Sequence, residues 1–486
     1  MRNFAKVMTL TAALMAFGCG SDDGSFNNGG FNPNPNPNPV AVPTAVADAF
    51  QVLGGGILTG SVTSNDTLNG ATVTAFQNPG TAGGTVAISA AGTLTYTPPT
   101  NGANLVDTFT YTIGNAAGSS TATVTVNVGA KGLFVKNDVP VSGSGSQASP
   151  FKTLAEAVTA AVNNGDQIVL FRGDGTNTGL NTGFTLKPGQ GISSLDPAIP
   201  ANITGPIQLT SGNSVSNLRI GATAGTAINA TNASNGSITG VTVDSPTGRA
   251  VALHNATGTF AINNCTILTP GFTGIESQCS TGSLIWSVNR TAFVGSVVGP
   301  VVGNTTGNAA QNMTISNSSF VNVPLNVDAM FVDCETAGTN FGLNVNNNTV
   351  SGGGITGSGV SVFSGGSTNL LSLVSANNIT GCVGEGIAIG VGGSSVSKAR
   401  FTGNRTTGNA LNEDLKVFLT GAATQSFGGV FQNNVSDRFV FLQNNLGPFQ
   451  IEQFSQFNSP AAGNNTGVNT TTGTIIDVPA GSLNIP

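Results

Sequence analysis

The chain has 486 residues, of which 39% are hydrophobic and only 7% are charged, with a formal net charge of −6 and a pI near 4.7. It therefore has enough apolar residues for a core, and it lacks the basic surface that nucleic-acid binding requires. Because there is one histidine, sites built from several histidines are also excluded.

The first 19 residues have the pattern of an export signal, in which two basic residues precede an apolar run over residues 7–17, and Cys19 follows this run. The end of this run, Ala-Phe-Gly-Cys, resembles the lipobox of bacterial lipoproteins. The resemblance implies a signal peptide over residues 1–18, a lipid on Cys19 that anchors the protein in a membrane, and a location at the outer membrane or cell surface. The alternative is ordinary signal cleavage nearby, with Cys19 lost or idle. Alternating Asn and Pro then indicate an extended tether over residues 19–40.

Residues 41–129 alternate short strand-like runs with turns. Runs such as GTLTYTP (92–98) and DTFTYTI (107–113) show the period-two alternation of half-buried strands. The segment resembles the cadherin-like or Ig-like domains of bacterial surface proteins, which implies a small β-sandwich. Three acidic residues stand near the ends of these runs: Asp48, Asp66 and Asp107. We interpret them as turn and strand-end residues, with Ca²⁺ ligation as the alternative.

A second domain begins at residue 131. Thr153 and Glu156 have the spacing of a capping box, and apolar residues follow at helical spacing, so we predict a capping helix over residues 153–162. The stretch from SPFKTL to DQIVL resembles the entry segment of right-handed parallel β-helix proteins of the pectate-lyase-like type. The resemblance implies a β-helix over residues 131–486, whose open apolar end the helix covers.

The second domain contains an internal repeat. A six-residue phrase with apolar ends and Asn or Gly near its centre occurs nine times, and successive copies end 23 to 30 residues apart. A period of this length indicates stacked repeats, and the Gly, Asn, Thr and Val content opposes α-helix. We therefore predict an all-β chain with regular coils over about 205–437, and a last irregular coil and cap over residues 438–486. The central Asn is expected in a left-handed turn, bonded to its stacked neighbours.

A second phrase recurs with the same drifting period and places four polar residues in consecutive coils: Asp328, Ser358, Glu385 and Glu413. Stacked acids repel one another, so we expect compensation by a raised pKa, by a bound Ca²⁺, or by Lys416 on the neighbouring strand. Paired carboxylates about 5 Å apart are also the geometry of retaining glycosidases. The alternative is that these acids begin strands and point into solvent.

Four cysteines lie in the repeat domain: Cys265, Cys279, Cys334 and Cys382. An exported protein can form disulfides, but the register places Cys279 and Cys334 two coils apart, about 9.6 Å, which is too far for a bridge. We therefore expect buried thiols in an interior stack. His254 has no acidic neighbour in the sequence, so we interpret it as a turn or edge residue and not as a general base.

The pectate-lyase-like proteins that the chain resembles include enzymes that act on polysaccharides. The paired-Asp and Arg-x-Lys patterns of polygalacturonases, however, are absent from the sequence. Rows of Asn, Ser and Thr along a solenoid favour many weak contacts with sugars. We therefore expect a cell-surface protein that binds polysaccharide or another cell surface without catalysis and without a cofactor, unless Ca²⁺ binds the acids. The alternatives are a lyase or hydrolase acting on an acidic polysaccharide, and a structural envelope protein.

Overall fold

The computed structural model describes residues 40–296, 298–323, 327–334, 340–355, 357–409, 414–419, 426–443, 449–452, 466–472 and 475–485. The expected signal peptide, Cys19, almost all of the tether, and Glu413 lie outside these residues. The regular secondary structure of the described part of the chain is β-strand apart from one α-helix. No helix within it is long and apolar enough to cross a membrane.

The first domain contains seven strands: β1 (Asp48–Gly54), β2 (Leu58–Ser61), β3 (Thr72–Phe76), β4 (Thr85–Ile88), β5 (Thr93–Thr97), β6 (Leu105–Asn115) and β7 (Gly118–Val135). Strands β2, β5 and β4 form one antiparallel sheet. Strands β3, β6, β7 and β1 form the other, in which β1 runs parallel to β7. Alternate side chains of the two sheets form a common core that includes Tyr96, Phe109 and Tyr111. The predicted β-sandwich is confirmed.

Strand β7 connects the two domains without a break. Residues 118–128 pair with β6, whereas Gly132–Val135 pair with β8 (Gln167–Leu170), a strand of the second domain. The boundary expected between residues 129 and 131 thus lies within one continuous strand, and main-chain hydrogen bonds extend across it.

The helix, α1 (Leu154–Ala160), covers the start of the second domain's core. Thr153 is its N-cap, and Thr153 and Glu156 form the predicted capping box. Ala157 is buried in the same apolar cluster as the strand residues that follow. The helix ends before the predicted limit of residue 162, because an Asn-Asn-Gly turn follows at residues 163–165, and Val162 is 60% exposed.

The second domain is a parallel β-solenoid whose regular coils contribute one strand to each of three faces. Face A contains the end of β7, then β8, β10 (Gly191–Ser194), β13 (Ser211–Ser216), β16 (Ser234–Thr239), β19 (Thr257–Asn263), β22 (Ser283–Asn289), β25 (Ala310–Ser316), β28 (Asn340–Asn346), β31 (Asn369–Ser375), β34 (Val396–Thr402), β37 (Ser426–Gln432), β39 (Phe449–Glu452) and β41 (Ile475–Val478). Face B contains β11 (Asn202–Ile203), β14 (Arg219–Ile220), β17 (Thr242–Asp244), β20 (Thr266–Leu268), β23 (Ala292–Val294), β26 (Ser319–Val321), β29 (Thr349–Ile355), β32 (Asn378–Cys382), β35 (Arg405–Thr407) and the start of β38 (Val435–Gln443). Face C contains β9 (Phe184–Thr185), β12 (Ile207–Gln208), β15 (Ile228–Asn229), β18 (Val251–His254), β21 (Thr273–Cys279), β24 (Gly299–Thr305), β27 (Met330–Cys334), β30 (Val360–Ser364), β33 (Ile387–Val391), β36 (Leu415–Leu419), the end of β38 and β40 (Thr466–Thr472).

The stack covers residues 167–478, which is longer than the predicted range of regular coils. The first coils escaped prediction because several of their strands have two residues and lack the repeated phrase. At the other end, residues 479–485 fold back along face A, where Leu483 packs with Val430. Lys398 donates a hydrogen bond to the Leu483 carbonyl at 2.9 Å, so this segment lies against the side of the solenoid.

The repeated phrase spans the end of a face A strand, a turn, and the start of a face B strand. At this turn one residue per coil has a positive φ; the nine residues are Asn217, Gly240, Asn264, Arg290, Asn317, Asn347, Ala376, Gly403 and Asn433. Five are Asn and two are Gly, the residues that adopt this conformation at least cost. The predicted left-handed Asn turn is confirmed.

The next residue points into the solenoid, and in four successive coils it is a buried asparagine: Asn348, Asn377, Asn404 and Asn434. The Oδ1 atom of Asn377 accepts hydrogen bonds from the backbone N–H and the Nδ2 of Asn348, both at 3.0 Å. The same pair of bonds recurs at the next two steps. The predicted bonding between stacked left-handed asparagines occurs at Asn347, whose Nδ2 donates to Oδ1 of Asn317 at 2.6 Å. The four buried asparagines one position later were not predicted, and we call them the Asn ladder.

The cysteines lie inside the solenoid as predicted. Cys279 is aligned with Thr305 of the next coil. In the coil after that, Asp333 is aligned with Asn304, so Cys334 follows Thr305 in the same column, and the two cysteines lie two coils apart. All four cysteines of the described residues are buried and free. Burial raises the pKa of Cys265 and Cys279 to about 11.

Candidate functional site

Face C presents the polar column expected from the second repeated phrase. The register aligns the starts of β27, β30, β33 and β36. Asp328, Ser358 and Glu385 each lie two residues before one of these strands. Glu413 has the same position before β36 in the sequence, but it lies outside the described residues. Stacking thus brings together residues that are 27 to 30 positions apart in the chain.

Ser358 connects the two described acids of the column. Its backbone N–H donates to Oδ1 of Asp328 at 2.6 Å, and its hydroxyl donates to Oε2 of Glu385 at 3.0 Å. Lys416, on β36, donates to Oε1 of Glu385, also at 3.0 Å. Lys416 therefore compensates the charge of Glu385, one of the arrangements expected from the sequence.

The two acids have pKa values shifted in opposite directions. Burial raises the pKa of Asp328 above its ordinary value, and the negative charge of Glu385 adds to the shift. Burial alone would also raise the pKa of Glu385, but the hydrogen bond and positive charge of Lys416 outweigh it and lower that pKa. Asp328 is thus easier to protonate than an exposed aspartate, and Glu385 is harder to protonate than an exposed glutamate.

Outward-facing phenylalanines lie beside the column. The ring centroids of Phe331 and Phe363 are 6.0 Å apart, and those of Phe363 and Phe418 are 5.7 Å apart in an edge-on arrangement. Gly390 lies in the coil between Phe363 and Phe418, and a Cβ atom there would come within 2.7 Å of both rings. Glycine at this position therefore permits the two rings to meet across a coil.

The column and the rings enclose a concavity of about 350 Å³, which we call the Ser358 cleft. It is lined by Asp328, Ser358, Ser361, Phe363, Glu385, Ala388, Lys416 and Phe418. The sequence predicted four polar members of this set, namely Asp328, Ser358, Glu385 and Lys416, but not Ser361. It did not predict the phenylalanines, although their place on alternate, outward positions of face C strands would have been visible once the register was known.

A second concavity of about 450 Å³ adjoins the first on face C, and Asp328 lines both. We call it the Glu276 cleft; its other lining residues are Arg249, Phe272, Thr273, Glu276, Gln278, Val298, Val302, Asn304, Val327 and Phe331. The carboxylate of Glu276 lies 2.8 Å from Nε of Arg249. The Arg249 guanidinium in turn lies 4.6 Å from the centre of the Phe272 ring.

Glu276 has a second partner in His254, whose Nε2 lies 2.9 Å from Oε1 of the carboxylate. Burial alone would raise the pKa of Glu276, but the hydrogen bonds from His254 and Arg249 outweigh it and lower the pKa to about 2. His254 ends strand β18, as expected for an edge residue, but the structure gives it an acidic partner that its neighbours in the sequence do not provide. The pair was missed because its members are 22 residues apart and meet only through stacking.

The three aspartates considered as Ca²⁺ ligands lie in the first domain. Asp107 accepts hydrogen bonds from two backbone N–H groups and from the Tyr96 hydroxyl. Asp66 accepts one from the Tyr111 hydroxyl, and burial raises the pKa of Asp48. Among the described residues, no group of three or more His, Cys, Asp or Glu side chains is arranged to hold a metal ion.

The Ser358 cleft and the Glu276 cleft lie outside the segment that a family model matches, since the model of the bacterial Ig domain covers residues 36–127. No curated protein matches the chain. The chain is similar to the solved structure of a GH136 lacto-N-biosidase from Eubacterium ramulus, with 11% identity, a TM-score of 0.33, and coverage of 72% of this chain and 68% of that chain.

A second similar structure is the A-module of the mannuronan C-5 epimerase AlgE4 from Azotobacter vinelandii. The identity is 11%, the TM-score is 0.30, and the match covers 72% of this chain and 100% of that chain. The chain consists of a bacterial Ig domain, matched over residues 36–127, followed by a parallel β-solenoid of about 10 turns.

Proposed function

We propose that this protein binds polysaccharide at a bacterial cell surface without catalysis. The observation that carries the proposal is the Ser358 cleft, where aromatic rings, carboxylates and hydroxyl groups converge on one face of the solenoid. Apolar concavities with a few converging polar groups are the usual form of a ligand site. The rings of Phe363 and Phe418 offer apolar faces to the C–H groups of a sugar, while Ser358 and Asp328 offer partners for its hydroxyl groups.

The shape of the site suits a polymer. The Glu276 cleft and the Ser358 cleft adjoin along the solenoid axis, and Asp328 belongs to both. From Arg249 beside β18 to Lys416 on β36 there are six strand spacings, or roughly 29 Å. A ligand that occupies both clefts is therefore extended and lies along the axis, across successive coils.

Binding of the purified protein to a panel of immobilised polysaccharides tests the proposal, followed by titration with soluble fragments of each hit. We expect Phe363→Ala to weaken binding at least about tenfold, because truncating a central aromatic contact typically costs that much. Phe76→Ala is the matched control, since Phe76 is 39% exposed in the first domain. Unchanged binding in both Phe363→Ala and Glu385→Gln would exclude the Ser358 cleft as the site.

A second candidate function, hydrolysis or elimination on an acidic polysaccharide, is favoured by one observation. Asp328 and Glu385 share a cleft and have pKa values shifted in opposite directions. Such pairs occur where one carboxyl group acts as an acid and the other as a base. New reducing ends or unsaturated products, absent with Glu385→Gln, would establish this function. Binding of a polysaccharide without formation of either product would support the first proposal, binding without catalysis.

The proposed surface location rests on the resemblance of the first 19 residues to a lipoprotein signal. Fractionation of cells tests it: Cys19→Ala should move the protein from the membrane fraction to the soluble fraction. Retention of Cys19→Ala in the membrane would exclude the lipid anchor. If no polysaccharide binds to the native protein, a structural role in the envelope becomes the favoured function.

A further inference from the structure

One cation of the chain is held on face C by a carboxylate and an aromatic ring together. Arg249 lies 2.8 Å from the carboxylate of Glu276 and 4.6 Å from the centre of the Phe272 ring. The carboxylate attracts the guanidinium as an ion pair, and the face of the ring attracts it through its quadrupole. This combination occupies the start of the Glu276 cleft.

The same combination recurs at the far end of the Ser358 cleft. The ammonium group of Lys416 lies 3.0 Å from the carboxylate of Glu385 and 5.7 Å from the centre of the Phe418 ring. We call the line of acids and rings along the two clefts, from Glu276 to Glu385, the face C row. At each end of this row, a cation of the chain itself already binds the acid and the ring.

Asp328 lies between these two ends with aromatic rings on either side. It shares the lining of one cleft with Phe331 and of the other with Phe363. Its carboxylate accepts a hydrogen bond from the uncharged backbone of Ser358, and none of the ion pairs formed within the described residues includes it. Past residue 296, the stretches left undescribed contain no Lys, Arg or His in their sequence, so they hold no cation for it.

We propose that Asp328, with Phe331 and Phe363, binds an ammonium group of the ligand, so that the polysaccharide bound on face C carries unacetylated amino sugars. The inference rests on the proposed function, because it names the class of polysaccharide for the same clefts. A sugar ammonium offers three donors to the carboxylate and a charge to the rings. A uronic acid would instead bring a carboxylate next to Asp328 and Glu385, where like charges repel.

The test is calorimetric titration of the full protein with an oligomer of β-1,4-linked glucosamine, its N-acetylated form, and an oligogalacturonate of equal length. Measurements at about pH 6 keep the sugar amine largely charged. We expect the glucosamine oligomer to bind at least about tenfold more tightly than the other two, with an affinity that falls as salt rises.

Asp328→Asn should remove this preference, because it keeps an acceptor for the Ser358 N–H while removing the charge. Asp196→Asn is the matched control, since this exposed carboxylate on a distant loop bonds only to a nearby backbone N–H at 2.9 Å among the described residues. Equal binding of the charged and N-acetylated oligomers, with loss of both in Phe363→Ala, would overturn the ammonium site and leave polysaccharide binding intact. Failure of every polysaccharide in the panel to bind would overturn both.

Discussion

Replacement of Asn377 by alanine measures how much of the solenoid's stability comes from the Asn ladder. The side chain is 1% exposed and makes four hydrogen bonds. It donates to the Val345 carbonyl and to Asn404, both at 2.9 Å, and it accepts two bonds from Asn348, both at 3.0 Å. Because alanine leaves these partners buried without the bonds, we expect a loss of about 4 kcal/mol, taking about 1 kcal/mol for each.

Urea unfolding of the wild-type and Asn377→Ala proteins provides the measurement. Since long repeat arrays do not always unfold in one step, hydrogen exchange of the amides in β31 and β34 gives a local value beside the global one. The control is Asn369→Ala on the same coil, whose exposed side chain donates one hydrogen bond to Asn340 at 3.1 Å and should change stability by no more than about 0.5 kcal/mol. A loss below about 1 kcal/mol for Asn377→Ala would refute the reasoning and leave the ladder a role in turn geometry only.

Three further outcomes follow from the solenoid. Ala376 is exposed and has a φ of +54°, so Ala376→Asn should raise the free energy of unfolding by about 0.5 kcal/mol in the same urea assay, and a decrease would contradict the argument. The pKa of Glu276 falls from 4.5 to about 2 on folding. The ionised carboxylate therefore makes its full contribution to the free energy of unfolding above pH 4.5, and this contribution is lost as the pH falls toward 2. We expect a loss of about 3 kcal/mol over this window and a flatter profile for Glu276→Gln, with identical profiles counting against the assignment. Because burial raises the pKa of Cys265 and Cys279 to about 11, a thiol reagent should modify them only on unfolding, and rapid labelling of the native protein would show that they are accessible.

The parts of the fold that the sequence predicted are those repeated in every coil. The left-handed turn imposes the same requirement at positions such as Asn217 and Asn433, so the same residue type returns and reveals the period. The column of Asp328, Ser358 and Glu385 was predicted from that period, because residues one period apart in the chain lie next to each other on the same face of the solenoid. The contact between Lys416 and Glu385 was one of several arrangements expected from adjacent strands, and it also depends on the reach of the lysine side chain, because the register aligns Lys416 with Ala388 and not with Glu385.

The features that escaped prediction are those that break the repeat. The contact of His254 with Glu276 is diagonal between strands, so it depends on side-chain reach and not on register alone. The meeting of Phe363 and Phe418 skips a coil and depends on the missing side chain of Gly390. Strand β7 crosses between domains because its alternating pattern serves a sandwich at one end and a solenoid at the other, and Gly129 and Gly132 between them do not interrupt the strand.

Stacking also explains how a chain with so few charges assembles a charged site. The protein has 15 Lys and Arg and 21 Asp and Glu among 486 residues, so an arbitrary patch of its surface would contain few of either. A solenoid needs one suitable residue per coil to build a row, because the fold places equivalent positions about 4.8 Å apart. In the face C row, Arg249 and Lys416 form ion pairs with the acids at the two ends, whereas Asp328 in the middle forms none within the described residues, and on our proposal it is the ligand's ammonium group that binds there. On this proposal, the selectivity of the row depends on which coils carry a cation of their own. Ser361 lines the Ser358 cleft beside Asp328, so Ser361→Lys should remove the tighter binding of the glucosamine oligomer in the same calorimetric titration, and unchanged binding would contradict this dependence.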